Sequence, residues 1–192
     1  HAIVRILLGG YLGRTPGDIR YQYGAHGKPS LAGAFGEMGL RFNISHSGRL
    51  GLFAFAEGRE VGVDVECESQ RRTSAAVARR FFAPGEVAAI EALRGAGMVS
   101  AFFRCWSRKE AFIKATGQGL SATLDGFEVS VTSDGEALEA VYYEPAEIER
   151  WTVRGLDIDN GYAAAVAVEG KECSVQCFDF PRQWLTDCHA GS

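Results

Sequence analysis

The sequence lacks several things that would have settled its function quickly. Its five cysteines (Cys67, Cys105, Cys173, Cys177 and Cys188) are scattered, odd in number and contain no CxxC pair. That excludes the regular spacing of a disulfide framework or a zinc site and points to reduced thiols in the cytoplasm. No run approaches the ~20 apolar residues of a membrane span, and no signal-peptide pattern opens the chain. There is no excess of positive charge: 20 Lys and Arg stand against 24 Asp and Glu, for a net charge of −4. A net anion is a poor partner for nucleic acid or a membrane surface, so neither is expected. The phosphate-binding GxxxxGK[ST], the nucleophile elbow GxSxG, the zinc motif HExxH and the dinucleotide loop GxGxxG are all missing. No initiating Met is present either; the chain opens His-Ala-Ile, is amphipathic at once, and reads as starting in the middle of something.

What remains is an ordinary globular composition, 46% hydrophobic and 23% charged over 192 residues, enough for a core. Residues 2–12 read as the end of a helix, 19–23 as extended, 25–30 (AHGKPS) as a turn and 31–39 as a glycine-broken loop. Strands are expected at 40–44, 51–56 and 61–66, with EGRE (57–60) turning between the last two. Residues 74–82 read as a helix, and Pro84 begins another through Leu93 with Glu86 in its first turn. The strongest helix spans Ser100 to about Thr116 and is stopped by Gly117 and Gly119. Strands follow near 126–132, 137–143, 151–156 and 162–168, and the last dozen residues read as a loose tail. The element order suggests an α+β protein of two similar halves, 1–62 and 63–192, although no sequence repeat supports the division.

Four short segments carry chemistry. In VGVDVE (61–66), strand alternation puts Asp64 and Glu66 on one face and the valines on the other. The two carboxylates are either a solvated sheet edge or a hard-oxygen surface suited to Mg²⁺. On the 101–116 helix, Trp106, Glu110 and Lys114 share a face. Glu110 and Lys114 fit an i,i+4 ion pair, or Glu110, set beside aromatic bulk, needs a partner such as a metal ion. In FNISHSG (42–48), Ser45 and His46 end a strand and enter a turn. Adjacent strand residues face apart, so they are phosphate donors or a locally hydrogen-bonded turn rather than a nucleophile and its base. Lys28, in GKP (27–29), is a surface lysine or a point charge for phosphate.

In order and spacing these segments resemble the Sfp-type 4′-phosphopantetheinyl transferases. That family carries a GKP turn, an N-[IVL]-S-H-S strand end, a (V/I)G(V/I)D strand and a W-x-x-KE-[AS]-x-x-K helix. Here they stand as GKP at 27–29, FNISHSG at 42–48, VGVD at 61–64 and WSRKEAFIK at 106–114, with 41 residues between Asp64 and Trp106. FFAPGEVAAI (81–90) and GLSATLDGFEV (119–129) are similar to the family too, and the resemblance covers about 2–168.

The resemblance implies an enzyme that moves the 4′-phosphopantetheine arm of coenzyme A to a serine of an apo acyl or peptidyl carrier protein. Adenosine 3′,5′-bisphosphate leaves, and Mg²⁺ is required. It implies a pseudo-dimeric fold in one chain, hence a monomer, with coenzyme A in the cleft between the halves. Asp64, Glu66 and Glu110 match the metal carboxylates; Lys28, Ser45, His46 and Lys114 match the coenzyme A contacts. Because the nucleophile belongs to the partner, the chain needs no activated Ser or Cys of its own. Glu110, or a metal-bound water beside it, is the candidate base, and Lys114 the candidate charge on the reacting phosphate. Arg71, Arg72, Arg79 and Arg80, just before Phe81 and Phe82, which are both expected to be exposed, form the expected patch for an acidic carrier, or else a solvated helix face.

Family members carry a further stretch of about 50 residues ahead of this point, whose loss would bare a sheet edge. The residues that grip the far end of coenzyme A are therefore expected to lie outside the sequence given. Two other functions fit the same residues: a carrier-binding module without transfer, and a metal-dependent pyrophosphate or phosphodiester hydrolase.

Overall fold

Strand β5 (Val61–Cys67) and helix α5 (Gly95–Thr116) organise the structure, a computed structural model describing residues 2–69, 75–119, 123–132 and 135–180. The two elements touch at Gly62. A Cβ there would lie 2.1 Å from the Ala111 carbonyl oxygen and 2.4 Å from the Ala115 nitrogen, so no other residue fits. The strand β9 (Tyr162–Glu169) continues this close approach with small side chains. It pairs antiparallel with β5, setting Ala167 beside Gly62, Ala165 beside Asp64 and Ala163 beside Glu66. Strand β8 (Trp151–Leu156) completes the sheet in the order β5-β9-β8. Even-numbered positions of β5 therefore face α5, while Val61, Val63 and Val65 are buried on the other face.

The rest of α5 is set by its apolar positions. Phe102, Phe103, Phe112 and Ile113 are buried, and Phe112 meets Phe127 at 4.8 Å and Trp151 edge-on at 5.8 Å between ring centroids. Each such burial is worth about 1.5–3 kcal/mol. The helix ends at Gly117, which takes φ 71° and returns its N–H to Ile113. It starts five residues earlier than its periodicity predicts, despite Gly95 and Gly97.

Helices α3 (Ala75–Phe81) and α4 (Pro84–Glu91) precede it. Pro84 stands in the first turn of α4, and the Glu86 carboxylate reaches back to the Ala83 N–H at 2.8 Å. Ahead of β5, a short hairpin of β1 (Tyr21–Tyr23) and β2 (Pro29–Leu31) leads through a single turn, α2 (Ala34–Glu37), to β3 (Leu40–Ser47) and β4 (Leu50–Glu57). β3 and β4 form an antiparallel ladder from Leu40↔Glu57 to Ser47↔Leu50. Beyond α5 lie β6 (Phe127–Val129) and β7 (Leu138–Val141), shorter than expected, and a turn of helix, α6 (Glu147–Arg150).

Residues 21–171 form one compact unit. The other unit contains helix α1 (Ala2–Leu12), which buries Val4, Leu8 and Leu12 at i, i+4, i+8 spacing. Within that unit the Arg5 guanidinium donates to the carbonyls of Pro16 and Ile19, closing the following loop. The α+β class read from the sequence holds: antiparallel sheets pack against helices. Among the described residues no helix is long and apolar enough to cross a membrane. The tail from residue 181, and Arg71 and Arg72, lie outside the described residues.

Candidate active site

The face of β5 that meets α5 carries Asp64 at its centre, 3% exposed. Its Oδ1 accepts from Lys114 Nζ at 2.6 Å and from Ser45 Oγ at 2.8 Å. Its Oδ2 is buried and has no hydrogen-bond partner among the described residues. Burial raises the Asp64 carboxyl above its ordinary value, against the pull of Lys114 and Ser45. One turn of α5 before Lys114, Glu110 is half-buried and is also pushed upward. Burial is the main cause, the charge of Asp64 adds to it, Lys114 opposes it, and Glu66 adds a smaller upward push. Glu66 in turn receives a long hydrogen bond from Ser47 Oγ at 3.4 Å.

Glu110 thus meets the charge of two other carboxylates with one ammonium among them, and Asp64 Oδ2 is buried without a donor among the described residues. Among the described residues no three carboxylate, imidazole or thiol groups are gathered tightly enough to make a ready-formed metal cage. The donor chemistry still suits a divalent cation: the oxygens are hard, and Asp64 Oδ2 has a vacant lone pair beside two other acids.

The structure brings Asp64, Glu66, Glu110, Ser45 and Lys114 into one neighbourhood. His46 is exposed, and strand alternation turns it to the face of β3 opposite Ser45. Lys28 lies at the C-terminal end of α5, where Nζ donates to the Ala115 carbonyl at 3.0 Å and pairs with Glu60 at 2.7 Å. Glu60 also accepts from Arg41 Nε at 3.0 Å. The Glu110–Lys114 ion pair expected from helix spacing gives way to Lys114–Asp64, because the strand carboxylate lies directly against the ammonium. The FNISHSG segment is a strand through Ser47, and its polar side chains bond residues 19 and 20 positions away rather than a local turn.

Trp106, one turn before Glu110, sits among Phe82 at 5.9 Å, Phe102 at 6.0 Å and Phe81 at 6.3 Å between ring centroids. Phe81 is exposed; Phe82 is buried, correcting the expectation that both face solvent. Also on α5, three residues after Trp106, Lys109 pairs with Glu86 at 2.8 Å, both side chains sealed from water. Lys109 also donates to the carbonyls of Leu124 and Phe127, and Glu86 accepts the N–H of Val129. This ion pair was not foreseen. Its signal lay in the adjacency of Lys109 and Glu110, which cannot share a helix face.

The sequence profile of the 4′-phosphopantetheinyl transferase superfamily matches residues 60–167, from the start of β5 almost to the end of β9. The 4′-phosphopantetheinyl transferase HetI of Nostoc sp. is 39% identical over 171 residues, covering 88% of this chain and 68% of its own length. The transferase Sfp of Bacillus subtilis is 34% identical over 149 residues, covering 78% of this chain and 62% of its own. Among solved structures, the holo-[acyl-carrier-protein] synthase of Thermotoga maritima overlaps 59% of this chain and 64% of its own at 24% identity, with a TM-score of 0.46. The chain belongs to the 4′-phosphopantetheinyl transferase superfamily. It spans about two thirds of the length of the HetI and Sfp relatives.

Proposed function

We propose that this chain carries out the Mg²⁺-dependent transfer of the 4′-phosphopantetheine arm of coenzyme A to a serine of an apo carrier protein, releasing adenosine 3′,5′-bisphosphate. The observation that carries the reading is the cluster of Asp64, Glu66 and Glu110 around Lys114, in a chain of this superfamily. The three carboxylates would hold the cation, and bound Mg²⁺ supplies charge neutralisation for the pyrophosphate oxygens.

The chain's own residues do the rest. Lys114, on the rigid α5, offers an ammonium that can turn from Asp64 Oδ1 towards a phosphate oxygen once the carboxylate is otherwise engaged. Ser45 fixes the orientation of Asp64. Glu110, or a water beside it, takes the proton of the incoming serine hydroxyl. His46 and Lys28 contact the phosphates of coenzyme A from the open side, with Glu60 holding Lys28 in place until then. Displacement at phosphorus needs alignment and charge rather than a covalent intermediate, so no nucleophile of the chain is required.

The carrier docks beside α3. Arg79 and Arg80 end that helix, Arg80 lies 5.2 Å over the exposed Phe81 ring, and Phe81 leads through Trp106 to the turn bearing Glu110. A basic and aromatic edge complements an acidic carrier and delivers its serine near the carboxylates.

Incubation with coenzyme A, Mg²⁺ and an apo carrier tests the reading. Transfer adds about 340 Da to the carrier, the mass of the phosphoryl-linked arm. Cleavage of coenzyme A without that gain identifies a hydrolase, and complex formation alone identifies a binding module.

A further inference from the structure

Strand β5 is the edge of its sheet, yet its outer amides are not exposed to a void. The N–H of Val63 donates to Asn43 Oδ1 at 3.0 Å, that of Val65 to Ser45 Oγ at 3.3 Å, and that of Cys67 to Ser47 Oγ at 2.9 Å. β3 has its own ladder partner in β4, and β5 has its own in β9. The two strands are therefore joined by a row of side chains: positions 43, 45 and 47 of β3 meet alternate amides 63, 65 and 67 of β5.

Those amides bracket Asp64 and Glu66. Asn43 is 5% exposed and Ser45 6%, so the row is sealed where it borders Asp64. Ser47 does two jobs with one hydroxyl, accepting from the Cys67 N–H and donating to Glu66 Oε2. An ordinary backbone ladder would fix β5 equally well but could not also orient the carboxylates, because main-chain amides and carbonyls would occupy the seam. Side chains that hold both backbone and carboxylate leave the acids aimed at α5.

We propose that Asn43 and Ser47 are positioning residues, which fix the Asp64–Glu66 stretch of β5 through its amides and so set how tightly the carboxylates hold a divalent cation. The inference rests on the reading of Asp64 and Glu66 as metal ligands. Second-layer hydrogen bonds of this kind set metal affinity within a factor of about 10–100. Ser47 is the better probe, since threonine keeps the hydroxyl and alanine removes it.

Amide hydrogen exchange on the metal-free protein reads the seam directly, and Mg²⁺ titration by calorimetry reads what the seam positions. Ser47→Ala should speed exchange at Cys67 and weaken Mg²⁺ binding about tenfold, and Ser47→Thr should restore both. Unchanged exchange at Cys67 overturns the proposal, as does faster exchange with unaltered Mg²⁺ binding, or a failure of threonine to rescue. If the unmutated protein binds no Mg²⁺ at all, the reading of the carboxylates as a metal site fails first and this inference falls with it.

Discussion

Lys109 Nζ stands 2.8 Å from Glu86 Oε1, and neither side chain is open to water. Their remaining hydrogen bonds reach Ala83, Leu124, Phe127 and Val129, so three separated stretches of sequence, 83–86, helix α5 at Lys109, and 124–129, meet at one ion pair. Removing one partner leaves a buried, uncompensated charge. Lys109→Met should cost about 3–5 kcal/mol in denaturant unfolding. Adding Glu86→Gln to that variant should recover part of the loss, since the stranded group is then neutral. Additive losses would show that the two residues do not act as a pair.

Gly62 should tolerate no side chain. The carbonyl of Ala111 and nitrogen of Ala115 are backbone atoms and cannot swing aside. Gly62→Val should cost more than about 4 kcal/mol or prevent folding. A variant with a native melting temperature would contradict the crossing of β5 and α5.

The burial of Glu110, with Asp64 beside it, predicts a cost in the metal-free protein. Glu110 has a folded pKa raised above its ordinary value, so its contribution to stability is full below the unfolded pKa and is lost as pH rises through the folded one. Glu110→Gln should therefore raise the melting temperature of metal-free protein at pH about 8, and the gain should shrink as pH falls towards the ordinary carboxylate range. A gain independent of pH, or none, would show that burial and the neighbouring charges do not disfavour the Glu110 carboxylate.

Carrier docking beside α3 predicts a split in kinetic constants. Arg79→Glu with Arg80→Glu should raise the carrier KM several-fold through lost electrostatic attraction and leave the KM for coenzyme A alone. Arg79 pairs with Glu91 at 2.7 Å, but both side chains are substantially exposed, so the reversal should cost little stability. An unchanged carrier KM would remove this surface from the account.

Much of this was legible in the sequence because it depends on local period. Alternation in VGVDVE put Asp64 and Glu66 on one face, and the 3.6-residue period put Trp106, Glu110 and Lys114 on another; the structure brings the two faces together. The glycine of VGVD and the lysine of the KE pair could be seen as letters, but their reasons are tertiary. Gly62 is required by a helix almost 50 residues later, and Lys109 by a glutamate 23 residues earlier. The same limit applied to FNISHSG. A polar strand end offers hydroxyls, and nothing within seven residues reveals that their partners are the amides of another strand. Lys28 likewise looked like an open charge because Glu60, 32 residues away, is not in its local pattern.

The most direct test is intact-mass spectrometry of an apo carrier protein after incubation with coenzyme A, Mg²⁺ and this chain, alongside Asp64→Ala and Glu110→Ala. The account predicts a gain of about 340 Da with the unmutated chain and none with either variant, both variants remaining folded by circular dichroism. Substantial transfer by a folded Asp64→Ala or Glu110→Ala protein at saturating Mg²⁺ would contradict it, as would coenzyme A cleavage by the unmutated chain with no change in carrier mass.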